Sequence, residues 1–136
     1  LLAGLAFSNA SLGAVHAMAH SLGGLSDLPH GECNALLLES VIDYNFEVCP
    51  ERYETIAQTV NVDCSSHNPQ EIKQKLLSAL QALRTELGIT ERLGDLGVSR
   101  EDIADLAKSA IRDPCLATNP RKPTVSDLEH IYEGAL

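Results

Sequence analysis

Residues 1–22 read LLAGLAFSNASLGAVHAMAHSL, and two glycines, Gly23 and Gly24, follow them directly. The stretch consists mainly of Ala, Leu and Gly and contains no charged side chain. Small residues recur in it at mostly helical spacing, which lets a neighbouring helix approach closely: Ala3, Ala6, Ala10, Ala14 and Ala17. We therefore predict a helix over residues 1–22 that is buried on most of its surface and ends at the glycines.

Five further helix patterns follow along the chain. They cover approximately residues 31–46, 50–60, 69–87, 99–112 and 124–136. Prolines or capping pairs open four of them: Pro50, Pro69, Ser99 with Asp102, and Thr124 with Asp127. The pattern after Pro69 has one apolar stripe, formed by Ile72, Leu76, Leu80, Leu83 and Leu87. Since no segment alternates like a strand, the chain is predicted to be one all-α, bundle-like domain over residues 1–136.

The charge, the cysteine spacing and the length of the apolar segment argue against several classes of partner. Asp and Glu number 19 against 10 Lys and Arg, a net charge of −9, which argues against a nucleic-acid partner. Four cysteines without a C-x-x-C pair are typical of reduced thiols, and we expect a cytoplasmic protein. The apolar part of residues 1–22 is too short for a bilayer, so no membrane partner is expected. Because the chain begins within a predicted helix and without Met, we expect it to be a fragment.

Three of the five histidines, His16, His20 and His30, fall within fifteen residues. His16 and His20 are four residues apart and share a helix face, and a helix hairpin would return His30 to the same place. Imidazole is the commonest metal ligand, and spacing alone favours His16 and His20 as the ligand pair. The alternative is a set of core histidines bonded to backbone. A zincin metalloprotease needs Glu at the position that Ala17 occupies, so a protease of that type is excluded. The other two histidines, His67 and His130, are predicted at the surface.

The motifs resemble those of the iron-containing alcohol dehydrogenases, in order and over nearly the whole chain. The signature-like run is AFSNASLGAVHAMAHSLGG at residues 6–24, followed by DLPHG at 27–31 and by Asn34-Ala35. Further landmarks are PERY at 50–53, LGI at 87–89, LGV at 96–98, DPC at 113–115 and TNPR at 118–121. The resemblance covers only the C-terminal helical half of such an enzyme, which has a dehydroquinate synthase-like fold.

The resemblance implies roles for five residues. Family members bind one divalent iron, sometimes zinc, through one Asp and three His, and two of those ligands correspond to His16 and His30. The remaining Asp and His belong to sequence upstream of this chain. His20 corresponds to a histidine beside the metal that is interpreted as a proton relay. Phe7 and Cys115 match positions near the substrate and nicotinamide pocket, although simple packing is an equal explanation for both.

The implied activity is NAD(P)-dependent interconversion of an alcohol with an aldehyde or ketone, in which the metal polarises an alkoxide. The chain has no G-x-G-x-x-G, so the nucleotide would bind an N-terminal α/β domain that is the expected partner. Without it, we expect an inactive chain that holds metal weakly and exposes apolar helix faces, which favour a homodimer. The alternative is a non-catalytic interaction or regulatory module with a structural His cluster. A non-redox metallohydrolase ranks lower because no general base lies near the histidines in the sequence.

Overall fold

A computed structural model describes residues 1–66 and 68–136. Its helices, in chain order, are α1 (Leu2–Ala10), α2 (Ala14–Ser26), α3 (His30–Phe46), α4 (Pro50–Thr59), α5 (Pro69–Glu86), α6 (Ile103–Ala110) and α7 (Val125–Ala135). Short 3-10 turns lie at Gly94–Leu96 and Pro114–Thr118. No described residue is in a strand, which confirms the all-α prediction. His67, predicted at the surface, lies outside the described residues.

The prediction of one buried helix over residues 1–22 is wrong. The chain breaks after Ala10, Ser11 takes a φ of 61°, and α1 and α2 meet at 97°. Every residue of α1 is exposed, whereas α2 has a buried face formed by Ala14, Ala17, Met18, Ala19 and Leu22. Apolar composition therefore identified the helical segments but could not show that only the second one packs into the core.

The predicted helix end at Gly23 and Gly24 is also wrong. Helix α2 continues through both glycines to Ser26, and Asp27 then takes the left-handed conformation with a φ of 52°. A glycine inside a helix costs only about 1 kcal/mol, which packing of the helix can offset. Asp is among the few non-glycine residues that enter the left-handed region readily.

Helices α2, α3, α6 and α7 enclose the main core, in which α2 packs against α3 and α6 while α7 packs against the same two. The largest fully buried side chain is Tyr132 of α7, whose hydroxyl donates to the Met18 carbonyl at 2.8 Å. Burial of the phenol raises the pKa of Tyr132 well above its ordinary value. This contact connects the last helix to α2.

A smaller core cluster joins α3, α4 and α5 through Ile42, Ala57, Ile72 and Leu76. The apolar stripe predicted on α5 is buried at Ile72 and Leu76, but its second half lies at the surface. Leu83 is 52% exposed and Leu87 is 68% exposed. Both side chains border a small, open apolar cleft that they share with Ala35 and Leu38 of α3.

The capping predictions are confirmed at α7 and confirmed in part at α6. Thr124 and Asp127 form both reciprocal bonds of a capping box. Asp102 accepts from the Ser99 N–H at 2.8 Å and from the Ser99 hydroxyl at 2.6 Å, but α6 itself begins only at Ile103. Pro50 and Pro69 open α4 and α5 as predicted.

Two buried asparagines bridge distant parts of the chain. Asn119 Nδ2 donates to Asn45 Oδ1 at 2.8 Å, and Asn45 Nδ2 returns a bond to Asn119 Oδ1 at 3.1 Å. The same Asn119 oxygen accepts from the Ala14 N–H at 3.0 Å. A Cβ at Gly13 would lie 2.9 Å from this oxygen, so only glycine leaves room for it. The pair thereby fixes the N-terminus of α2 against α3 and the segment after α6.

Within residues 1–66 and 68–136, no single helix has the length and apolar composition needed to cross a membrane. The bent pair α1 and α2 meets that requirement only when its two helices are counted together, by length and composition alone.

Replacing Asn119 by Ala is expected to lower the free energy of unfolding by about 2–4 kcal/mol, because two buried donors lose their acceptor. Urea unfolding followed by circular dichroism measures this. The matched control is Asn9→Ala, since Asn9 lies on the exposed helix α1 and bonds only within it; its effect should stay within about 0.5 kcal/mol. Equal stabilities of the two variants would contradict the bridging role of Asn119.

Candidate metal and proton-transfer site

The three clustered histidines meet at one end of the α2–α3 hairpin. His16 and His20 lie one turn apart on α2, and His30 is the first residue of α3. The ring centroids are 5.4 Å apart for His16 and His30, 5.2 Å for His20 and His30, and 6.3 Å for His16 and His20. The hairpin therefore brings together all three side chains that the sequence singled out.

A surface cleft surrounds these rings. Its lining consists of Phe7, Leu12, His16, His20 and His30. Phe7, on the exposed helix α1, is 52% exposed and forms one wall. The bend between α1 and α2 places this aromatic ring beside the histidines. Phe7 thus supplies an aromatic wall to the cleft beside the three histidines.

His16 is the least solvated of the three rings. Burial lowers the pKa of its imidazole, and the neighbouring rings of His30 and His20 lower it further. Asp113 opposes this effect without reversing it. His16 is therefore neutral at pH 7, the form in which an imidazole nitrogen can bind a metal.

His30 is oriented by a side chain one turn further along α3. The Asn34 amide Nδ2 donates to the His30 carbonyl at 2.8 Å and contacts His30 Nε2 at 3.0 Å. Asn34 Oδ1 is the buried side-chain oxygen that has no hydrogen-bond partner in the described part of the chain. Asn34 belongs to the motif quoted after His30, but the sequence did not indicate that it would contact the ring.

His20 has a partner that the sequence analysis did not assign. Its Nδ1 lies 2.8 Å from Oδ2 of Asp113, 93 positions away in the sequence. Asp113 Oδ1 accepts from the Cys115 backbone N–H at 2.8 Å. The DPC motif at 113–115 is one of the landmarks of the family resemblance and directly follows the helix predicted over residues 99–112. Its proximity to His20 follows only from the packing of α6 against α2.

Cys115 lies beside this pair but not in the cleft lining around the other histidines. Ligand atoms of His20, Asp113 and Cys115 all fall within 4.8 Å of one another. Burial raises the pKa of the Cys115 thiol, and the Asp113 carboxylate raises it further. A protonated thiol is a poor metal ligand. The arrangement therefore favours a hydrogen-bonded His–Asp pair over a three-ligand metal site.

The donor set fits a divalent transition metal. Imidazole nitrogens suit iron and zinc, and a neutral His16 beside His30 supplies two of them from adjacent helices. Two imidazoles fill only half of a four-ligand set. The remaining positions would be open to further ligands.

A family model and several known proteins match this chain along nearly its whole length. Residues 1–136 match the profile described as "Fe-containing alcohol dehydrogenase family, C-terminal". The chain is 40% identical over 134 residues to lactaldehyde reductase from Escherichia coli K12, covering 98% of the chain and 35% of that protein. It is 36% identical over 135 residues to an NAD-dependent methanol dehydrogenase from Bacillus methanolicus, covering 99% of the chain and 35% of that protein.

A crystal structure of a 1,3-propanediol oxidoreductase superimposes with a TM-score of 0.95 at 40% identity, over 100% of this chain and 36% of that one. The chain thus spans about a third of the length of the relatives that it matches. Its sequence, its all-α fold and the order of its motifs agree along the whole length. The chain belongs to the Fe-containing alcohol dehydrogenase family, of which it represents the C-terminal helical part.

Proposed function

We propose that residues 1–136 form the metal-binding helical domain of an NAD(P)-dependent alcohol dehydrogenase, which interconverts an alcohol with an aldehyde or ketone. The observation that carries the proposal is the convergence of the His16 and His30 rings, 5.4 Å apart, in a cleft beside His20. Family membership supports the reaction class. The non-catalytic module with a structural His cluster is less favoured, because the matched relatives carry the names of enzymes.

His16 and His30 would hold the metal, Fe²⁺ or Zn²⁺. A bound divalent cation acts as a Lewis acid that lowers the pKa of an alcohol hydroxyl and polarises a carbonyl in the reverse direction. A metal on His30 Nε2 would displace the Asn34 amide, whereas one on Nδ1 would leave that contact in place. Asp and His ligands from an N-terminal domain would complete the set.

The other residues of the cleft would position the reactants. His20 takes the proton that leaves the alcohol hydroxyl and passes it to solvent, since an imidazole exchanges protons well near neutral pH. Phe7 supplies an apolar wall against which the carbon that loses hydride can lie. A bound nicotinamide would supply the redox chemistry as the hydride acceptor. Cys115 lies beside the His20–Asp113 pair, and from the match to the family motif we assign it, with Phe7, to the surroundings of the substrate and nicotinamide.

We infer a cytoplasmic enzyme from the four free thiols.

The nucleotide would be bound by an α/β domain N-terminal to this chain. Helix α1 and the residue before it expose a run of apolar side chains that such a domain would cover: Leu1, Leu2, Leu5 and Phe7. Without that cover, the same surface favours association of two copies of the chain.

The His16 imidazole is expected to titrate below its ordinary pKa of 6.5 in the folded chain. Because folding depresses this pKa, the stabilisation that comes with the neutral ring is present above pH 6.5 and is lost as the pH falls below it. Titration followed by ¹H–¹⁵N NMR of labelled histidines measures it. His30→Gln should move the His16 pKa upward, whereas His130→Gln, at an exposed position in the middle of α7, should not. A His16 pKa above 6.5 would contradict the assigned environment.

Metal binding by the chain alone is expected to be weak, because two imidazoles leave half of the coordination sphere open. Calorimetric titration with Zn²⁺ should saturate only at metal concentrations far above the protein concentration. His16→Ala and His30→Ala should each abolish this heat, and His130→Ala should leave it unchanged. Tight one-to-one binding by the wild-type chain would contradict the two-ligand assignment, as would equal binding by all three variants.

The activity is tested in a chimera that joins the N-terminal two thirds of Escherichia coli lactaldehyde reductase to this chain. Reduction of the parent enzyme's own aldehyde by NADH should be restored when the metal is supplied. His16→Ala and His30→Ala should each lower kcat/KM by at least about 100-fold, the upper range for weakening a metal site. His130→Ala is the control and should retain full activity. A folded, metal-loaded chimera that is unaffected by His16→Ala would refute the proposal.

A further inference from the structure

We propose that Asp113 is the positioning residue for His20: its carboxylate holds the Nδ1–H tautomer, so that Nε2 is left as the proton acceptor. The role of this tautomer in proton transfer rests on the proposed function. The tautomer itself depends only on the His20–Asp113 contact within this chain. Sequence patterns indicate no partner for His20. The structure pairs it with a residue at the junction between α6 and the Pro114–Thr118 turn.

Both carboxylate oxygens of Asp113 are engaged. Oδ1 accepts from the Cys115 N–H at 2.8 Å, which caps the Pro114–Thr118 turn, and Oδ2 lies 2.8 Å from His20 Nδ1. Rotation of the carboxylate would break both bonds. The Asp113 side chain is also shielded, with 17% of its surface exposed against 44% for His20. A shielded, doubly bonded carboxylate can fix the orientation of a more exposed ring.

The chemistry of the pair fixes the tautomer. Burial raises the pKa of Asp113, but the bonds from the Cys115 backbone and from His20 outweigh burial, and the pKa lies below its ordinary value. The carboxylate is therefore ionised near neutral pH and can only accept hydrogen bonds. His20 Nδ1 must then be the donor. In the neutral ring this leaves the lone pair on Nε2.

The position of His20 suits a proton relay between two clefts. Its ring lines the histidine cleft with Phe7 and His16. It also lines a second, open and charged cleft on α6, together with Asp105, Lys108 and Arg112.

In the proposed step the O–H bond of the alcohol breaks and a bond from Nε2 to that proton forms. The resulting imidazolium lies against the Asp113 carboxylate, which offsets its charge. The proton then passes from Nε2 to water, and the neutral Nδ1–H tautomer returns.

A purely structural role for Asp113 makes a different prediction. If the carboxylate only caps the turn, Asn at this position can replace it, since the side-chain oxygen of Asn can still accept from the Cys115 N–H. The amide nitrogen of Asn would, however, face His20 Nδ1 as a donor. In Asp113→Asn the cap is kept and the tautomer of His20 should switch to Nε2–H.

The test is long-range ¹H–¹⁵N NMR of the chain with labelled histidines, recorded at a pH where the rings are neutral. His20→Gln assigns the signal. We expect the Nδ1–H pattern in the wild-type chain and the Nε2–H pattern in Asp113→Asn. Asp102→Asn is the matched control, because Asp102 is also a capping carboxylate, bonded to Ser99 rather than to a histidine, and its variant should leave His20 unchanged.

The wild-type spectrum alone shows which tautomer His20 adopts, even if a variant does not fold. A wild-type His20 in the Nε2–H form would overturn the proposal, as would an Asp113→Asn spectrum identical to wild type. In the active chimera, Asp113→Asn should lower kcat by roughly 10- to 100-fold with an unchanged KM for the aldehyde. A chimera without activity before substitution would refute the proposed function alone, because the tautomer is measured without metal, nicotinamide or substrate.

Discussion

The packing of α2 determines the geometry of this protein. Ala14, Ala17 and Met18 are fully buried, and Leu22 continues the same face against α3 and α6. Small alanine side chains let the neighbouring helices approach closely, so that the rotation of α2 about its axis is fixed by close packing. Because the buried face is fixed, the orientation of His16 and His20 beside it is fixed as well. Both side chains therefore lie in the histidine cleft. The site is therefore a consequence of core packing.

Two polar contacts connect distant segments to this helix. Asn119 bonds the N-terminus of α2, and Asp113 bonds His20 one and a half turns further along. Both residues lie in the segment between α6 and α7, so the same short stretch supports the core and the cleft. This arrangement explains why the DPC and TNPR motifs lie near each other in the sequence although their bonds reach residues about a hundred positions away.

Sequence patterns predicted the helices and the histidine cluster because these depend on local spacing, capping and composition. Thr124 with Asp127 and the prolines at 50 and 69 marked true helix starts. The patterns failed where tertiary contacts determine the structure: at the bend near Ser11, at the continuation of α2 through Gly23 and Gly24, and in the pairing of Asp113 with His20. Spacing alone also favoured His16 and His20 as ligands. Only the resemblance to the family indicated His30, together with His16, as a metal ligand. These ligand roles stay predictions.

The proposed function depends on a metal site formed by His16 and His30 together. Anomalous diffraction at the zinc edge, from crystals of the chain grown in excess Zn²⁺, is the experiment that examines this site. We expect a peak about 2.0–2.1 Å from one ring nitrogen of His16 and one of His30, at partial occupancy. A peak bound instead by His20, Asp113 and Cys115, with His16 and His30 unliganded, would contradict it.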